Sequence, residues 1–208
     1  MPAARRNDPS SVTLVLGGVR SGKSALAERL ARAAGRPVLV VATARVTDDD
    51  MAERIARHRA SRPANWRTVE APLDLVAAVG QHAAGDEVVV VDCLTVWLGN
   101  RLVEGIGPET DPDRVDAQHW AALESAAVEH AIALCDVARH RSLRLVLVSN
   151  EVGMGVVPAT SLGRRYRDAL GRVNQTVAAE ADTVLLTVAG IGVDLKALER
   201  ATRSASAS

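Results

Sequence analysis

The chain has no phenylalanine, one tyrosine and three tryptophans. Its core must therefore be aliphatic, and a basic stripe interleaved with aromatics, the mark of a single-strand nucleic-acid binder, is missing. Cys93 and Cys135 are the only cysteines, which excludes a disulfide framework and a cysteine metal site. Neither sign of charge is in surplus: 25 basic and 25 acidic residues give a formal charge of zero. That balance argues against a general nucleic-acid binder. No apolar run approaches the roughly 18 residues of a membrane span, and Met1 to Ser11 is polar, without the apolar centre of a signal peptide. These absences predict a cytoplasmic protein with no transmembrane segment and no nucleic-acid partner. Lysine is scarce too: the basic residues include only Lys23 and Lys196.

One of those two lysines stands in Gly17-Gly18-Val19-Arg20-Ser21-Gly22-Lys23-Ser24, which fits the phosphate-binding pattern G-x-x-x-x-G-K-[ST]. The apolar run Val12 to Leu16 precedes it as a strand, and Ala25 to Ala31 follows as a helix, the frame this motif requires. Glycines let backbone N–H groups close on phosphate oxygens, and the helix start adds partial positive charge. Lys23 reaches the β- and γ-phosphates, and the Ser24 hydroxyl can sit on Mg²⁺. The whole stretch Gly17, Gly18, Val19, Arg20, Ser21, Gly22, Lys23, Ser24 is thus a nucleotide-binding candidate.

Further apolar runs alternate with helical patterns. Val38 to Ala42, Glu87 to Asp92, Leu143 to Val148 and Thr183 to Val188 read as buried strands, with Trp66 to Glu70 as a short additional one. Helices are expected over 47–61, with Thr47 as N-cap, and over 73–82, 95–104, 115–140 and 162–181. Gly190 and Gly192 close the last strand. Strands buried on both faces and spaced by helices mean a parallel sheet covered on both sides. The expected fold class is α/β: a P-loop NTPase (RecA-like) three-layer sandwich with a mostly parallel central sheet. One domain over 12–196 is expected, between a disordered tail at 1–11 and a flexible tail at 197–208. Ligands in such sheets bind beyond the carboxyl ends of the strands, where Thr43, Asp92 and Ser149-Asn150-Glu151 fall beside the phosphate loop. Asp92 ends four valines and suits direct or water-mediated Mg²⁺ binding; Cys93 reads as a small buried residue. The metal candidates are Ser24 and Asp92.

The 47–61 helix carries a second centre. Arg54, His58 and Arg62 fall on successive turns of one face. A neutral imidazole is a nucleophile toward phosphorus, and guanidinium groups hold phosphates. His58 also aligns with Met51 and Ile55, as a boundary residue packing inward would, so the residues alone leave both readings open. His82, His119, His130 and His140 lie in Ala-rich helical settings and read as structural.

Taken together, GGVRSGKS at 17–24, RHRASRPANWRTVE at 57–70, VVVVDC at 88–93, VLVSNEVGMGVVP at 146–158, RDALGRVNQ at 167–175 and VAGIGV at 188–193 resemble the bifunctional adenosylcobinamide kinase / adenosylcobinamide-phosphate guanylyltransferase family of cobalamin biosynthesis. The resemblance spans about residues 12 to 194. It implies that His58 is the guanylylated histidine, because Arg62-Pro63 and Trp66-Arg67-Thr68 align its surroundings. It adds Arg54, Arg62 and Glu70 to the nucleotide-binding candidates, beside Asp92. It implies ATP and GTP as substrates with adenosylcobinamide, Mg²⁺ as cofactor, catalysis by His58, Lys23 and Asp92, and a homotrimer. Glu151 and Asp92 are the candidates for the kinase base. Two positions depart from the pattern: Arg57 stands where some relatives have a second histidine, and Asp92 where relatives can have Glu. Neither alters the implied chemistry.

Three other readings compete. A plain small-molecule kinase needs no His58. A regulatory GTP switch would read guanine with N-K-x-D, which a chain with only Lys23 and Lys196 lacks. A RecA-like motor would need a DNA-binding stripe.

Overall fold

A computed structural model describes residues 10–45, 49–60 and 62–206; the side chains of Asp50, Met51, Arg54, Ile55, Arg57, His58, Ala205 and Ser206 lie outside that description. The chain runs β1 (Ser11–Gly17), α1 (Lys23–Ala33), β2 (Val38–Ala42), α2 (Asp49–Ala60), β3 (Arg67–Glu70), α3 (Leu75–His82), β4 (Val88–Asp92) and α4 (Leu94–Ile106). After a 3₁₀ turn at Pro112–Arg114 come α5 (Ala117–His140), β5 (Arg144–Val148), α6 (Ser161–Glu180), β6 (Thr183–Val188), β7 (Ile191–Asp194) and α7 (Leu195–Ser206).

The strands form one sheet in the order β3-β2-β4-β5-β1-β6-β7. All pairings are parallel except β6 with β7. Alternate residues of each strand feed opposite faces. Leu14, Leu39, Val41, Val89, Val91, Leu145 and Leu147 pack under α3, α4, α5 and α6. Val15, Val38, Val40, Val88, Val90, Val146 and Val148 pack under α1, through Ala27 and Ala31. The three-layer α/β sandwich expected of a P-loop protein is therefore present. Without phenylalanine, the large buried aromatics are Trp97 and Trp120. No described helix is long and apolar enough to cross a membrane.

Several helix starts are set by side-chain caps that accept backbone N–H groups: Asp74 from Ala77, Asp116 from His119 and Thr160 from Gly163. The expected Thr47 cap lies outside the described residues. His130 has a structural part: its Nε2 accepts from the Leu75 and Val76 amides at 3.1 and 3.3 Å, at the start of α3.

Two differences from the sequence reading lie at the C-terminal end. The Gly190-Gly192 stretch is not merely a closing loop, because β7 returns antiparallel to β6. The stretch read as a tail from 197 is helical to Ser206. Asp194 Oδ1 accepts from the Ala197 amide and Arg203 pairs with Glu199 one turn away, so local capping and an i,i+4 ion pair support this Ala-rich segment.

Candidate nucleotide site

The topology places β5 between β1 and β4. The phosphate loop after β1 and the carboxylate ending β4 therefore lie at one sheet edge, one strand apart. The loop is fixed from below and behind. The Glu151 amide donates to the Gly17 carbonyl at 3.0 Å, and the Gly190 amide donates to the Ser21 carbonyl at 2.8 Å. Two glycines are dictated by close approach. A Cβ on Gly17 would lie 2.4 Å from the Thr187 carbonyl oxygen, and one on Gly22 would lie 2.9 Å from the Gly190 Cα. Gly22 also has φ 99°, the left-handed conformation that lets the chain turn directly into α1. No side chain caps that helix, so its first N–H groups face the loop's concavity, as an anion requires. Val19 is an exposed tip residue, 77% accessible.

Lys23 opens α1 and is buried, with Nζ donating to the Gly18 carbonyl at 2.6 Å. Burial pushes its pKa below the usual lysine value, while Cys93 and Asp92 act in the opposite sense. An ammonium held back from water is primed to gain from an approaching polyanion.

Ser24, Glu28, Arg62, Trp66 and Asp92 line one small pocket between α1 and the sheet, floored by Val40, Val90 and Val148. In it, Arg62 Nη2 lies 3.3 Å from Asp92 Oδ2. The Arg32 guanidinium stacks over the Trp66 ring at 5.3 Å. The chain leaving Asp92 is clamped: Thr43 Oγ1 accepts from the Cys93 amide at 2.8 Å and donates to the Cys93 carbonyl at 2.9 Å. Asn100 Nδ2 holds the Thr43 carbonyl at 2.9 Å. The Cys93 thiol is pushed up in pKa, chiefly by burial, which fits a structural residue and not a nucleophile.

The end of β5 is equally constrained. Buried Ser149 donates to Asn174 Oδ1 at 2.7 Å, Asn174 Nδ2 donates to the Asn150 carbonyl at 3.0 Å, and the Asn150 amide donates to Thr95 Oγ1 at 2.8 Å. Glu151 Oε1 accepts from the Gly153 amide at 2.6 Å, so this kinase-base candidate is engaged in its own turn.

Among the candidates, Gly17 to Ser24, Arg62 and Asp92 are thus brought together. Glu70 is not beside the loop: it ends β3, four strands from β1, or about 19 Å at normal strand spacing. Arg54 and His58 are on α2, but their side chains lie outside the described residues. Sequence reasoning missed Thr187, Gly190, Asn174 and Trp66 as supports of the site. Gly190, Asn174 and Trp66 lie in stretches that carry the family resemblance, but nothing local to them shows what they support; Thr187 has no local signal at all.

The profile of the family described as cobinamide kinase / cobinamide phosphate guanyltransferase matches residues 13–195. The bifunctional adenosylcobalamin biosynthesis protein CobP of Pseudomonas aeruginosa is 45% identical over 183 residues, covering 88% of this chain and 96% of that protein. The bifunctional adenosylcobalamin biosynthesis protein CobU of Salmonella typhimurium is 44% identical, covering 88% and 98%. A solved RadB recombinase structure is similar with a TM-score of 0.45 at 15% identity, covering 85% of this chain and 73% of that one.

Proposed function

The chain belongs to the cobinamide kinase / cobinamide phosphate guanyltransferase family and is a bifunctional enzyme of that kind, and from that premise we propose its reaction course and the residues that carry it. In the first reaction, the terminal hydroxyl of the aminopropanol arm of adenosylcobinamide attacks the γ-phosphorus of ATP or GTP, loses its proton to a base, and ADP or GDP leaves, giving adenosylcobinamide phosphate. The loop amides from Gly17 to Ser24 cradle the phosphates, and Lys23 stabilises charge on the transferring phosphoryl group. In the second, His58 attacks the α-phosphorus of GTP and pyrophosphate leaves. The phosphate of adenosylcobinamide phosphate then displaces His58, giving adenosylcobinamide-GDP. A covalent guanylyl-histidine divides one hard displacement into two easier ones.

The observation that carries the kinase half is the single pocket holding Ser24, Arg62 and Asp92 beside the buried Lys23. One hydroxyl and one carboxylate fit Mg²⁺, and among the described residues no three His, Cys, Asp or Glu side chains cluster into a cage. That is the donor set expected of an ion that takes its remaining oxygens from phosphate and water. Bound by Ser24 and Asp92, Mg²⁺ would supply neutralisation of the phosphate charge. Arg54 and Arg62 serve the nucleotide phosphates of the second reaction, and Glu70 has the more distant place on the same edge. The family resemblance supports a homotrimer in the cytoplasm built from one domain over 12–196.

Incubation with α-³²P-GTP followed by denaturation tests the covalent step. Acid-labile, alkali-stable protein label is expected. Unlabelled protein that still phosphorylates adenosylcobinamide would leave a plain kinase.

A further inference from the structure

Asp92 is held by a cation of its own chain. Arg62 Nη2 approaches Asp92 Oδ2 at 3.3 Å, with side chains 10% and 18% exposed, in the pocket that also contains Ser24. A pair this sheltered is little screened by salt. Arg62 also belongs mechanically to α2. It follows that helix by two residues, and its amide donates to the Arg59 carbonyl of the last turn at 3.4 Å. Pro63 comes next, and its carbonyl accepts from the Trp66 amide at 3.0 Å in the turn that leads into β3. The ion pair therefore fastens the C-terminal end of α2 to the end of β4.

We propose that Arg62 is a positioning residue that occupies the Asp92 carboxylate until a divalent cation arrives with the nucleotide, and that its displacement unties the end of α2. This rests on Asp92 as the metal carboxylate in the function proposed above. Arg62 is on Oδ2, and a divalent cation taking either oxygen of the same carboxylate in this small pocket would sit close to the guanidinium and be repelled by it. Metal entry and Arg62 retention are therefore competing states. Because the displaced arginine stands two residues past the helix that carries His58 and is bonded to its last turn, occupancy of the kinase-side metal site biases the segment needed for guanylyl transfer. The Arg62–Asp92 contact joins two named atoms, so one substitution removes it.

The probe is Mn²⁺, titrated by its paramagnetic resonance signal with a saturating, non-hydrolysable GTP analogue. In Arg62→Gln the Mn²⁺ half-saturation concentration should fall about tenfold, the scale set by one charge-assisted hydrogen bond on a carboxylate. Arg62→Lys keeps the charge with a poorer fit and should fall by a smaller factor; it stands in if the Gln variant does not fold. Hydrogen exchange of the amides over 49–60 gives a second readout. Ligand-free Arg62→Gln should exchange as fast as wild type loaded with Mn²⁺ and the analogue. A purely structural Arg62 would change exchange and leave the Mn²⁺ titration alone, which overturns the proposal, as does exchange in α2 that ignores both the variant and the metal. Asp92→Asn separates the two layers. If it weakens Mn²⁺ binding while neither Arg62 variant shifts it, only the competition is wrong; if Asp92→Asn also leaves Mn²⁺ binding unchanged, Asp92 is not the metal carboxylate.

Discussion

The Gly190 amide donates to the Ser21 carbonyl at 2.8 Å, so the turn joining β6 and β7 is the back wall of the phosphate loop. The loop's shape is thus set by residues about 170 positions downstream in the chain. Two backbones meet there with no side chain between them: a Cβ on Gly22 would lie 2.9 Å from the Gly190 Cα.

Gly22→Ala should therefore damage the loop itself. It combines that collision with a strained φ of 99°, together costing about 1–3 kcal/mol or more. Both the melting temperature and the affinity for nucleotide should drop. Gly18→Ala is the control, since a Cβ there meets nothing within 4 Å; its melting temperature should stay at the wild-type value. Thermal melts of both variants with and without GTP check this, and equal melts would remove the back wall from the account.

Lys23→Ala should abolish adenosylcobinamide phosphorylation. The buried ammonium is within reach of the loop, 2.6 Å from the Gly18 carbonyl, and loss of one such donor to a developing phosphoryl charge costs about 3 kcal/mol, or roughly a hundredfold in rate. Lys23→Arg should not restore it, because a planar fork cannot replace a compact ammonium in a cleft shaped for one. Steady-state rates at saturating ATP and at saturating GTP are the measurement; a Lys23→Ala rate near wild type would dislodge this lysine from the chemistry.

Much of this site could be read from the chain because its parts are local. The phosphate loop is one contiguous stretch, and β1, β2, β4 and β5 are buried on both faces, so each shows as an unbroken apolar run. β7 left no such trace: Ile191, Gly192 and Val193 are exposed on an edge strand of four residues, with a glycine in the middle. The Arg62–Asp92 pair joins residues 30 apart in sequence, and Asn174 reaches Ser149 across 25. Nothing near either residue announces its partner. Glu70 is placed by topology that its motif does not show: it ends β3, four strands from β1, because β2, β4 and β5 stand between.

His130 should make the fold sensitive to mild acid. Its Nε2 accepts two backbone amides at the start of α3, which only the unprotonated ring can do. Burial first, and then Arg101, lower its pKa from 6.5, with Asp74 acting the other way. A depressed folded value means that the native state binds fewer protons than the unfolded chain. The stability His130 contributes is then present above about pH 6.5 and lost as the pH falls through the lower folded value. Urea midpoints from pH 8 down to about pH 5 should decline in wild type, before most carboxylates titrate. His130→Gln, which does not titrate, should start lower and decline less; parallel curves would assign the slope to other groups.

His58→Ala should separate the two activities. The phosphoryl step moves a γ-phosphate to a substrate hydroxyl and needs no nucleophile from the protein, whereas the proposed guanylyl step passes through a bond between a His58 nitrogen and phosphorus. The variant is expected to make adenosylcobinamide phosphate, to take up no label from α-³²P-GTP, and to make no adenosylcobinamide-GDP. The fold should survive, because position 58 lies inside α2 (Asp49–Ala60) and alanine is the best helix former. The phosphate loop follows β1 while α2 lies on the crossover from β2 to β3, and β2 is three strands from β1 in the sheet. At normal spacing that is about 14 Å between strand axes, yet Arg62, two residues past α2, already shares a pocket with Ser24 of the phosphate loop, so the C-terminal end of α2 leads to the nucleotide side of the sheet. The separation of activities therefore has a kinetic companion: in wild type, label incorporation should respond to the metal-dependent release of Arg62, while the kinase rate of His58→Ala should follow the metal alone. A folded His58→Ala protein that makes adenosylcobinamide-GDP at the wild-type rate would sink the covalent mechanism.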